Sequence, residues 1–317
     1  MRAERLAIID LGTNTFHLFI ADTDGKIIQS VYAEKTPVRI GKGGINQGII
    51  SEDACERALH TLVMFKRKID EFGARKIYAT ATSAFRNAQN GKALAEKIKS
   101  VTGIEISIIS GDREAELIYF GVKEALALGE EKSLIVDIGG GSVEFILANE
   151  HTIFWKQSFE IGGQRLMDLF QKCDPIKEEE IAALQQYLSE KLAPLTAALK
   201  KFPTDVVVGS AGSFDTFSDV DLRRKGFNFS VETKKEYEIA LSDFHQLYHE
   251  IISKERTARM EIPGMIELRV DMIVVAAILT QYILEQYKMK RIRVSTYALK
   301  EGVLSRIMKG ETIIANP

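Results

Sequence analysis

The stretch LIVDIGGGSVEF, residues 134–145, runs from an apolar segment into Asp137, a glycine run, and a second apolar segment that contains Glu144. Short apolar runs around a cluster of turn-forming residues are typical of two strands joined by a tight turn. Residues without Cβ atoms let a ligand approach the backbone, and successive N–H groups can turn inward to receive an anion. The stretch therefore predicts a hairpin whose turn binds phosphate through Gly139, Gly140, Gly141 and Ser142.

The same build occurs earlier in the chain. LAIIDLGTNTFHLFIAD, residues 6–22, places Asp10 at the end of an apolar run and follows it with a small-residue turn and another apolar run. DVVVGSAGSF, residues 205–214, repeats the run into small residues a third time. The repetition predicts two similar lobes with a cleft between them. Because carboxylates hold Mg²⁺ against phosphate oxygens, we expect Asp10 and Asp137 to face that cleft and to bring the cation.

The two hairpins differ in one position that matters for chemistry. Seven residues after each aspartate the first copy has His17 and the second has Glu144, so only the second carries an acid. Glu114, in SGDREAEL, lies in the first turn of a predicted helix whose N-cap is Ser110 or Asp112. Two such carboxylates can hold and deprotonate a water for attack on phosphorus.

Other residues are candidates for phosphate binding because of their residue type and their position in the sequence. Arg86 follows a predicted strand in ATSAFRNA and can clamp a phosphate with its planar guanidinium. Basic residues that could guide a polyanion occur near two predicted loops: Lys35, Arg39 and Lys42, and then Arg223, Arg224 and Lys225. The competing interpretation is that such basic runs are simply part of the solvated surface.

Composition excludes several classes of protein. The chain has 317 residues, 45% of them hydrophobic, with a formal net charge of −2 and two cysteines. This charge gives no general footprint for nucleic acid or a membrane surface. Asp10 precedes any signal-like apolar run, and the longest run, MIVVAAIL at 272–279, is too short to span a bilayer. We expect a cytoplasmic protein without nucleic-acid or membrane partners.

Helical periodicity after Ser51, strand patterns at 76–82 and 104–109, and a helix at about 92–101 between them predict an α/β fold. We expect a first domain over 1–125, a second over 126–297, and a terminal helix, about 298–317, that packs back on the first.

The motifs DLGTNTFHL, RIGKGGINQGIISEDACERAL, ATATSAFRNA, ISGDREAELIYFGV, VDIGGGSVEF, GSAGSF and ALKEGVL follow one another along nearly the whole chain. In this order they resemble the exopolyphosphatase/guanosine pentaphosphate phosphohydrolase family of the actin-like, sugar-kinase and Hsp70 ATPase superfamily. The resemblance implies two ribonuclease-H-like (actin-like ATPase) domains, in the short form without the helical region of longer members. A homodimer is a further expectation from the family.

The resemblance also implies roles for single residues. Glu114 matches the catalytic base, Glu144 the acid that helps position the water, Asp137 the metal and phosphate carboxylate, and Arg86 a phosphate-binding arginine. Asp10, Asp137 and Glu144 are the expected Mg²⁺ ligands. The expected phosphate-contacting turns comprise Gly12, Thr13 and Asn14, then Gly139 to Ser142, then Gly212 and Ser213. Two departures from the family pattern are GTNT in place of GSNS and Val143 in place of threonine.

The implied reaction is hydrolysis of the terminal phosphoanhydride of inorganic polyphosphate. Removal of the 5′ γ-phosphate of guanosine pentaphosphate is the alternative, alone or as a second activity, because both substrates present a terminal phosphate. A small-molecule kinase of the same superfamily and a non-catalytic nucleotide sensor are the competing classes; Glu114 and Glu144 around a water favour hydrolysis over both.

Overall fold

The computed structural model describes residues 4–24 and 27–311. Its strands, in chain order, are β1 (Glu4–Leu11), β2 (Thr15–Thr23), β3 (Ile28–Pro37), β4 (Lys76–Ala81), β5 (Ile106–Ile108), β6 (Ser133–Ile138), β7 (Val143–Ala148), β8 (Ile153–Phe159), β9 (Val206–Ser210), β10 (Glu236–Ile239) and β11 (Arg291–Ser295).

The α-helices are α1 (Glu52–Glu71), α2 (Ser83–Asn87), α3 (Gly91–Thr102), α4 (Gly111–Ala125), α5 (Gly163–Phe170), α6 (Glu178–Lys191), α7 (Ala193–Lys201), α8 (Ala211–Arg224), α9 (Leu241–Ser253), α10 (Arg256–Met260), α11 (Ile273–Gln286) and α12 (Leu299–Met308). The alternation of strands and helices confirms the predicted α/β class. None of the helices in the described ranges is long and apolar enough to cross a membrane.

The chain forms two compact units. The first comprises the described residues of Met1–Phe120 and of Leu299–Pro317, and the second comprises Gly121–Ala298. The boundary falls inside α4. In the first unit α12 packs so that the Arg306 guanidinium lies 4.0 Å from the centre of the Phe120 ring. The part of the predicted terminal helix over 312–317 lies outside the described residues.

Each unit contains a sheet of the same topology. The first has the order β3-β2-β1-β4-β5, and the second has β8-β7-β6-β9-β11 with β10 added at its edge. In both, the first three strands in sequence are antiparallel, and the later ones run parallel to the first, except for the added edge strand β10, which is antiparallel to β11. The duplicated sequence motif is therefore a duplicated sheet. The carboxyl ends of parallel strands share one edge, which is where such sheets bind ligands.

Both predicted hairpins are confirmed, and the third repeat is different. β1 pairs with β2 and β6 pairs with β7, each across a short turn. After β9 the chain enters α8 directly, so Gly212 and Ser213 lie in the first turn of a helix rather than in a loop.

A hydrophobic core fills the second unit and is densest around α8, α9 and α11. Phe217 of α8 is fully buried, with edge-on ring contacts to Phe214 at 5.7 Å and to Phe244 at 5.2 Å. The apolar run at 272–279, which is too short to span a bilayer, is buried here. These rings fix α8, whose first turn reaches the carboxyl edge of the sheet.

We predict that Phe217→Ala lowers the free energy of unfolding by about 3–5 kcal/mol, because the cavity forfeits both ring contacts and buried area. Chemical denaturation followed by circular dichroism measures the change. The matched control is Phe227→Ala, since Phe227 is 48% exposed, and we expect a change of about 0.5 kcal/mol or less there. Equal destabilisation by the two variants would contradict this packing.

Candidate functional site

The second hairpin places its two acidic residues side by side. In the register of β6 and β7, Asp137 lies directly opposite Glu144, as Asp10 lies opposite His17 in the first hairpin. Residues directly opposite in an antiparallel pair project on the same face, with Cβ atoms about 5 Å apart. The seven-residue spacing in the sequence is therefore the spacing that pairs these two carboxylates.

The turns of the two hairpins have the same geometry. The Gly12 amide donates to the Thr15 carbonyl at 3.1 Å, and the Gly139 amide donates to the Ser142 carbonyl at 3.1 Å. A Cβ at either glycine would lie 3.0 Å from the accepting oxygen. Both turns thus use a glycine two residues after the aspartate for a close backbone approach.

The glycine turn of the second unit is held from one side. The carbonyls of Gly139, Gly140 and Gly141 accept hydrogen bonds from the amides of Gly163, Gln164 and Gly162, at 2.9, 2.8 and 3.2 Å. In a planar trans peptide the N–H points away from the preceding C=O. The amides of Gly140, Gly141 and Ser142 must therefore face away from this segment, and none of them donates to a protein atom in the described ranges. Three successive amides on one side of a turn are the kind of donors that receive an anion in other proteins.

The segment Gly162–Arg165, which we call the second latch, makes these bonds at the start of α5. Its Arg165 side chain is buried, and its Nε donates to the Gly141 carbonyl at 2.9 Å. A Cβ at Gly162 would lie 2.5 Å from backbone atoms of Gly140 and Gly141, so only glycine fits there. Sequence analysis missed the second latch, although its Gly162-Gly163 pair was a visible signal.

The first unit has a corresponding segment after β3. Val38 and Arg39 donate their amides to the Asn14 carbonyl at 3.0 and 2.8 Å, and Gly41 donates to the Thr13 carbonyl at 3.1 Å. We call Val38–Gly41 the first latch. A Cβ at Gly41 would lie 2.5 Å from the Thr13 methyl group, so here also glycine is required.

Glu114 and Arg86 meet at the carboxyl edge of the first sheet. Ser110 is the N-cap of α4, since its Oγ accepts from the Arg113 amide at 3.2 Å, and this confirms one of the two predicted caps. Glu114 in the first turn is buried, and its Oε2 accepts from Arg86 Nη1 at 2.9 Å. The same Nη1 donates to the Ile109 carbonyl at 3.0 Å. The predicted base and the predicted phosphate ligand therefore form an ion pair, in which the carboxylate is buried and the guanidinium is partly buried.

Asp137 has a raised proton affinity. Its Oδ2 accepts a hydrogen bond from Ser210 Oγ at 2.7 Å. Burial raises the pKa of Asp137 to about 6, although the Ser210 hydrogen bond and the positive charge of Arg269 both limit the rise. A cation bound beside this carboxylate would offset the cost of burying its charge.

Arg269 is a functional candidate that no sequence pattern indicated. Its Nε is buried and has no hydrogen-bond partner among the described residues. Burial lowers the pKa of this guanidinium, against the opposing charges of Asp215 and Asp137. A Cβ at Gly212 would lie 1.9 Å from Arg269 Nη2, so Gly212 provides the space that Arg269 occupies. The spatial partner comes from a distant part of the chain, which is why motif spacing could not reveal it.

Glu144 is fixed by a neighbour on the next strand. Its side chain is buried, and Oε1 accepts from Ser158 Oγ of β8 at 2.6 Å. Val143, where the family pattern has threonine, is fully buried in the hydrophobic core. The valine therefore occupies a core position of the strand, and the neighbouring Glu144 keeps its place.

The residues fit a divalent cation of the magnesium type. Within residues 4–24 and 27–311 no group of three or more His, Cys, Asp or Glu side chains is arranged to hold a metal ion. Mg²⁺ commonly takes only one or two protein carboxylates and completes its shell with water and substrate phosphates. The buried Asp137 and the opposite Glu144 supply oxygen donors of that kind.

The predicted residues divide between the units. Asp10, Gly12, Thr13, Asn14, Arg86 and Glu114 lie in the first, and Asp137, Gly139, Gly140, Gly141, Ser142, Glu144, Gly212 and Ser213 lie in the second. In each unit they gather at the carboxyl edge of the parallel strands. That the two sets share one cleft stays a prediction.

One suggested basic track is not supported by the structure. Lys225 pairs with Asp221 at 2.7 Å and with Asp243 at 2.9 Å, and Arg224 pairs with Glu250. These two cations are therefore neutralised by protein carboxylates and stabilise the end of α8. Their pairing is the structural role that competes with polyanion binding.

Comparison with known proteins places these features in context. The model of the Ppx/GppA phosphatase family matches residues 19–311. A crystal structure of an exopolyphosphatase from Cytophaga hutchinsonii is 42% identical, covers 98% of this chain and 100% of its own, and has a TM-score of 0.95. The Aquifex aeolicus member of the Ppx/GppA family is 24% identical, with 98% and 99% coverage and a TM-score of 0.80. The likenesses confirm the predicted fold of two actin-like ATPase domains.

We predict that Gly162→Ala lowers the affinity for orthophosphate about tenfold or more, because a displaced latch no longer orients the three turn amides. Isothermal titration with orthophosphate measures the loss. The matched control is Gly163→Ala, whose Cβ would meet its nearest neighbour, Met272 Cβ, at an ordinary 3.6 Å. Similar affinities for the two variants would show that the latch does not shape the turn.

The raised pKa of Asp137 predicts a pH-dependent stability. Because the folded pKa is about 6 and the ordinary value is 3.8, this group favours the folded state below about pH 4. That contribution is lost as the pH rises through 6, at a cost of about 3 kcal/mol. Without metal, Asp137→Asn should therefore be more stable than wild type at about pH 8 and equal to it near pH 4. Urea denaturation with a chelator measures this, and a constant difference across pH would refute the assignment.

Proposed function

Starting from the fact that this chain belongs to the Ppx/GppA phosphatase family, we propose that it is an exopolyphosphatase. It hydrolyses the terminal phosphoanhydride of inorganic polyphosphate and releases orthophosphate. The observation that carries the proposal is the set of three amides, of Gly140, Gly141 and Ser142, that face away from the second latch. Such a set of donors suits the dianionic end of a condensed phosphate.

The proposed reaction assigns a role to each of the predicted carboxylates. The oxygen of a water forms a bond to the terminal phosphorus, and the bond from that phosphorus to the bridging oxygen breaks. Glu114 accepts the proton of the water, while Arg86 holds its carboxylate at 2.9 Å. Glu144, fixed by Ser158 at 2.6 Å, helps to position the water. The bridging oxygen leaves on the shortened chain.

Asp137 and Glu144 would hold Mg²⁺, whose charge neutralises the phosphate oxygens. The proposed requirement for a divalent cation agrees with the raised pKa of Asp137, because burial disfavours the ionised carboxylate and the charge of a bound cation would offset that cost. The 42% identity with a solved exopolyphosphatase supports polyphosphate as the substrate over guanosine pentaphosphate.

We predict that Glu114→Gln loses about two to four orders of magnitude in turnover, the range for removal of a general base. Glutamine can still accept the hydrogen bond from Arg86, so substrate binding should persist. Phosphate release from long-chain polyphosphate and from guanosine pentaphosphate, with and without Mg²⁺, measures the effect and ranks the two substrates.

The control for this experiment is Glu116→Gln. Glu116 lies on the same helix and pairs with Arg113 at 2.8 Å on the surface of the unit, so its loss should leave turnover within about twofold. Full turnover in Glu114→Gln would overturn the assignment of the base. Absence of release by the wild type from either substrate, with nucleotide still bound, would favour a kinase or a sensor.

A further inference from the structure

Two histidines on α9 have no part in the proposed phosphate site. His245 and His249 are four residues apart in this helix, a spacing that makes side chains neighbours on one face, with Cβ atoms about 5–6 Å apart. His249 is exposed and His245 is partly exposed. Because the Cα–Cβ bond of a helical residue tilts toward the helix N-terminus, His249 leans toward the turn that carries His245.

The buried face of α9 fixes the helix that carries this pair. Phe244, Leu247 and Ile251 are almost fully buried. The Phe244 ring contacts the Phe217 ring of α8 edge-on at 5.2 Å. The two imidazoles therefore stand on a rigid element of the core rather than on a loop, which is what a binding site needs in order to hold its geometry.

A chain of hydrogen bonds determines which nitrogen of His245 carries a hydrogen. Gln281 Nε2 donates to Glu285 Oε1 at 2.6 Å, since a carboxylate accepts. The amide oxygen of Gln281 therefore points the other way, to His245 Nδ1 at 2.8 Å. An amide oxygen also only accepts, so His245 Nδ1 must be the donor. In the neutral ring the lone pair is then on Nε2.

The Nε2 lone pair of His245 is not used inside the protein. Over the described residues, His245 forms no hydrogen bond or ion pair besides the one at Nδ1, and His249 forms none. Metal-binding histidines commonly donate their second ring N–H to an oxygen of the protein, which fixes the ring for coordination. Gln281 gives His245 this arrangement.

We propose that His245 and His249 form a separate metal site, for a divalent transition-metal ion such as Zn²⁺, with water completing the coordination shell. Imidazole nitrogen suits Zn²⁺, Ni²⁺ and Cu²⁺, whereas Mg²⁺ takes oxygen ligands. The site thus differs in chemistry from the carboxylates Asp137 and Glu144, and it does not depend on the proposed hydrolysis. A bound ion links two turns of α9 and, through Gln281, ties them to α11, so it stabilises the folded state.

Isothermal titration of the full chain with Zn²⁺ tests the site, in excess Mg²⁺ to occupy oxygen donors and without an affinity tag of histidines. A pH of about 8 keeps ordinary imidazoles neutral. We expect saturable binding at equimolar Zn²⁺, which His249→Ala should abolish because it removes one of the two ligands. The matched control is His60→Ala. His60 is exposed on α1 and has no histidine four residues away, so this variant should bind as the wild type does.

Gln281→Met tests the positioning of His245, because it keeps a side chain of similar length and removes the oxygen that holds Nδ1–H. It should weaken Zn²⁺ binding about 10- to 100-fold, the usual loss of an outer partner of a metal-binding histidine. Imidazole ¹H–¹⁵N spectra of the wild type provide a second measurement. They should show the hydrogen of metal-free His245 on Nδ1, and Zn²⁺ should shift its Nε2 resonance.

Stability gives an independent readout. At a concentration ten times its Kd, Zn²⁺ should lower the unfolding constant of the wild type about tenfold and leave that of His249→Ala unchanged. Urea denaturation measures both. Zn²⁺ binding that survives His249→Ala, a neutral His245 with its hydrogen on Nε2, or an equal effect of Zn²⁺ on the stability of the two proteins would overturn the site.

Discussion

The structure depends on how the carbonyls of two short turns are held. Each turn follows an aspartate at the end of a parallel strand, and each is bonded through its carbonyl oxygens to a segment that follows the third strand of its sheet. Because a peptide carries its N–H opposite its C=O, fixing the carbonyls of the turn on one side directs its amides to the other side. The direction of these amides therefore follows from an ordinary backbone constraint, and Gly41 and Gly162 are required because the latches approach so closely.

The two units share one architecture because the sheet is duplicated, and they differ in the side chains at the carboxyl edge of each sheet. Both units share the strand order and the turn geometry. The second copy has an acid opposite its aspartate where the first has His17, and it uses the guanidinium of its latch to hold the turn. The first copy has the Arg86–Glu114 pair at its sheet edge and holds its turn with backbone amides of its latch. The Asp137 and Glu144 carboxylates therefore belong to one copy, and the Arg86–Glu114 pair belongs to the other.

Much of this was predictable from the sequence, because local patterns carry it. Apolar periodicity and turn residues account for the two hairpins and the α/β class. They also account for the N-cap Ser110 and for the pairing of Asp137 with Glu144 across one hairpin. Other features depend on contacts between distant segments. Arg269 beside Gly212, Arg165 on Gly141 and the pairing of Lys225 with Asp243 have no local signature. The third repeat was misread as a loop, because the helix that follows β9 begins with the same small residues that form a turn in the two hairpins.

The central claim is that the amides of Gly140, Gly141 and Ser142 receive the terminal phosphate. Amide ¹⁵N–¹H correlation spectra, recorded on the full chain during a titration with orthophosphate and Mg²⁺, test it directly. The account predicts that the largest shifts occur at these three amides, since a hydrogen bond to an anion acts on the donating N–H itself. Saturable binding that leaves these three resonances unmoved, with the largest shifts elsewhere, would contradict it.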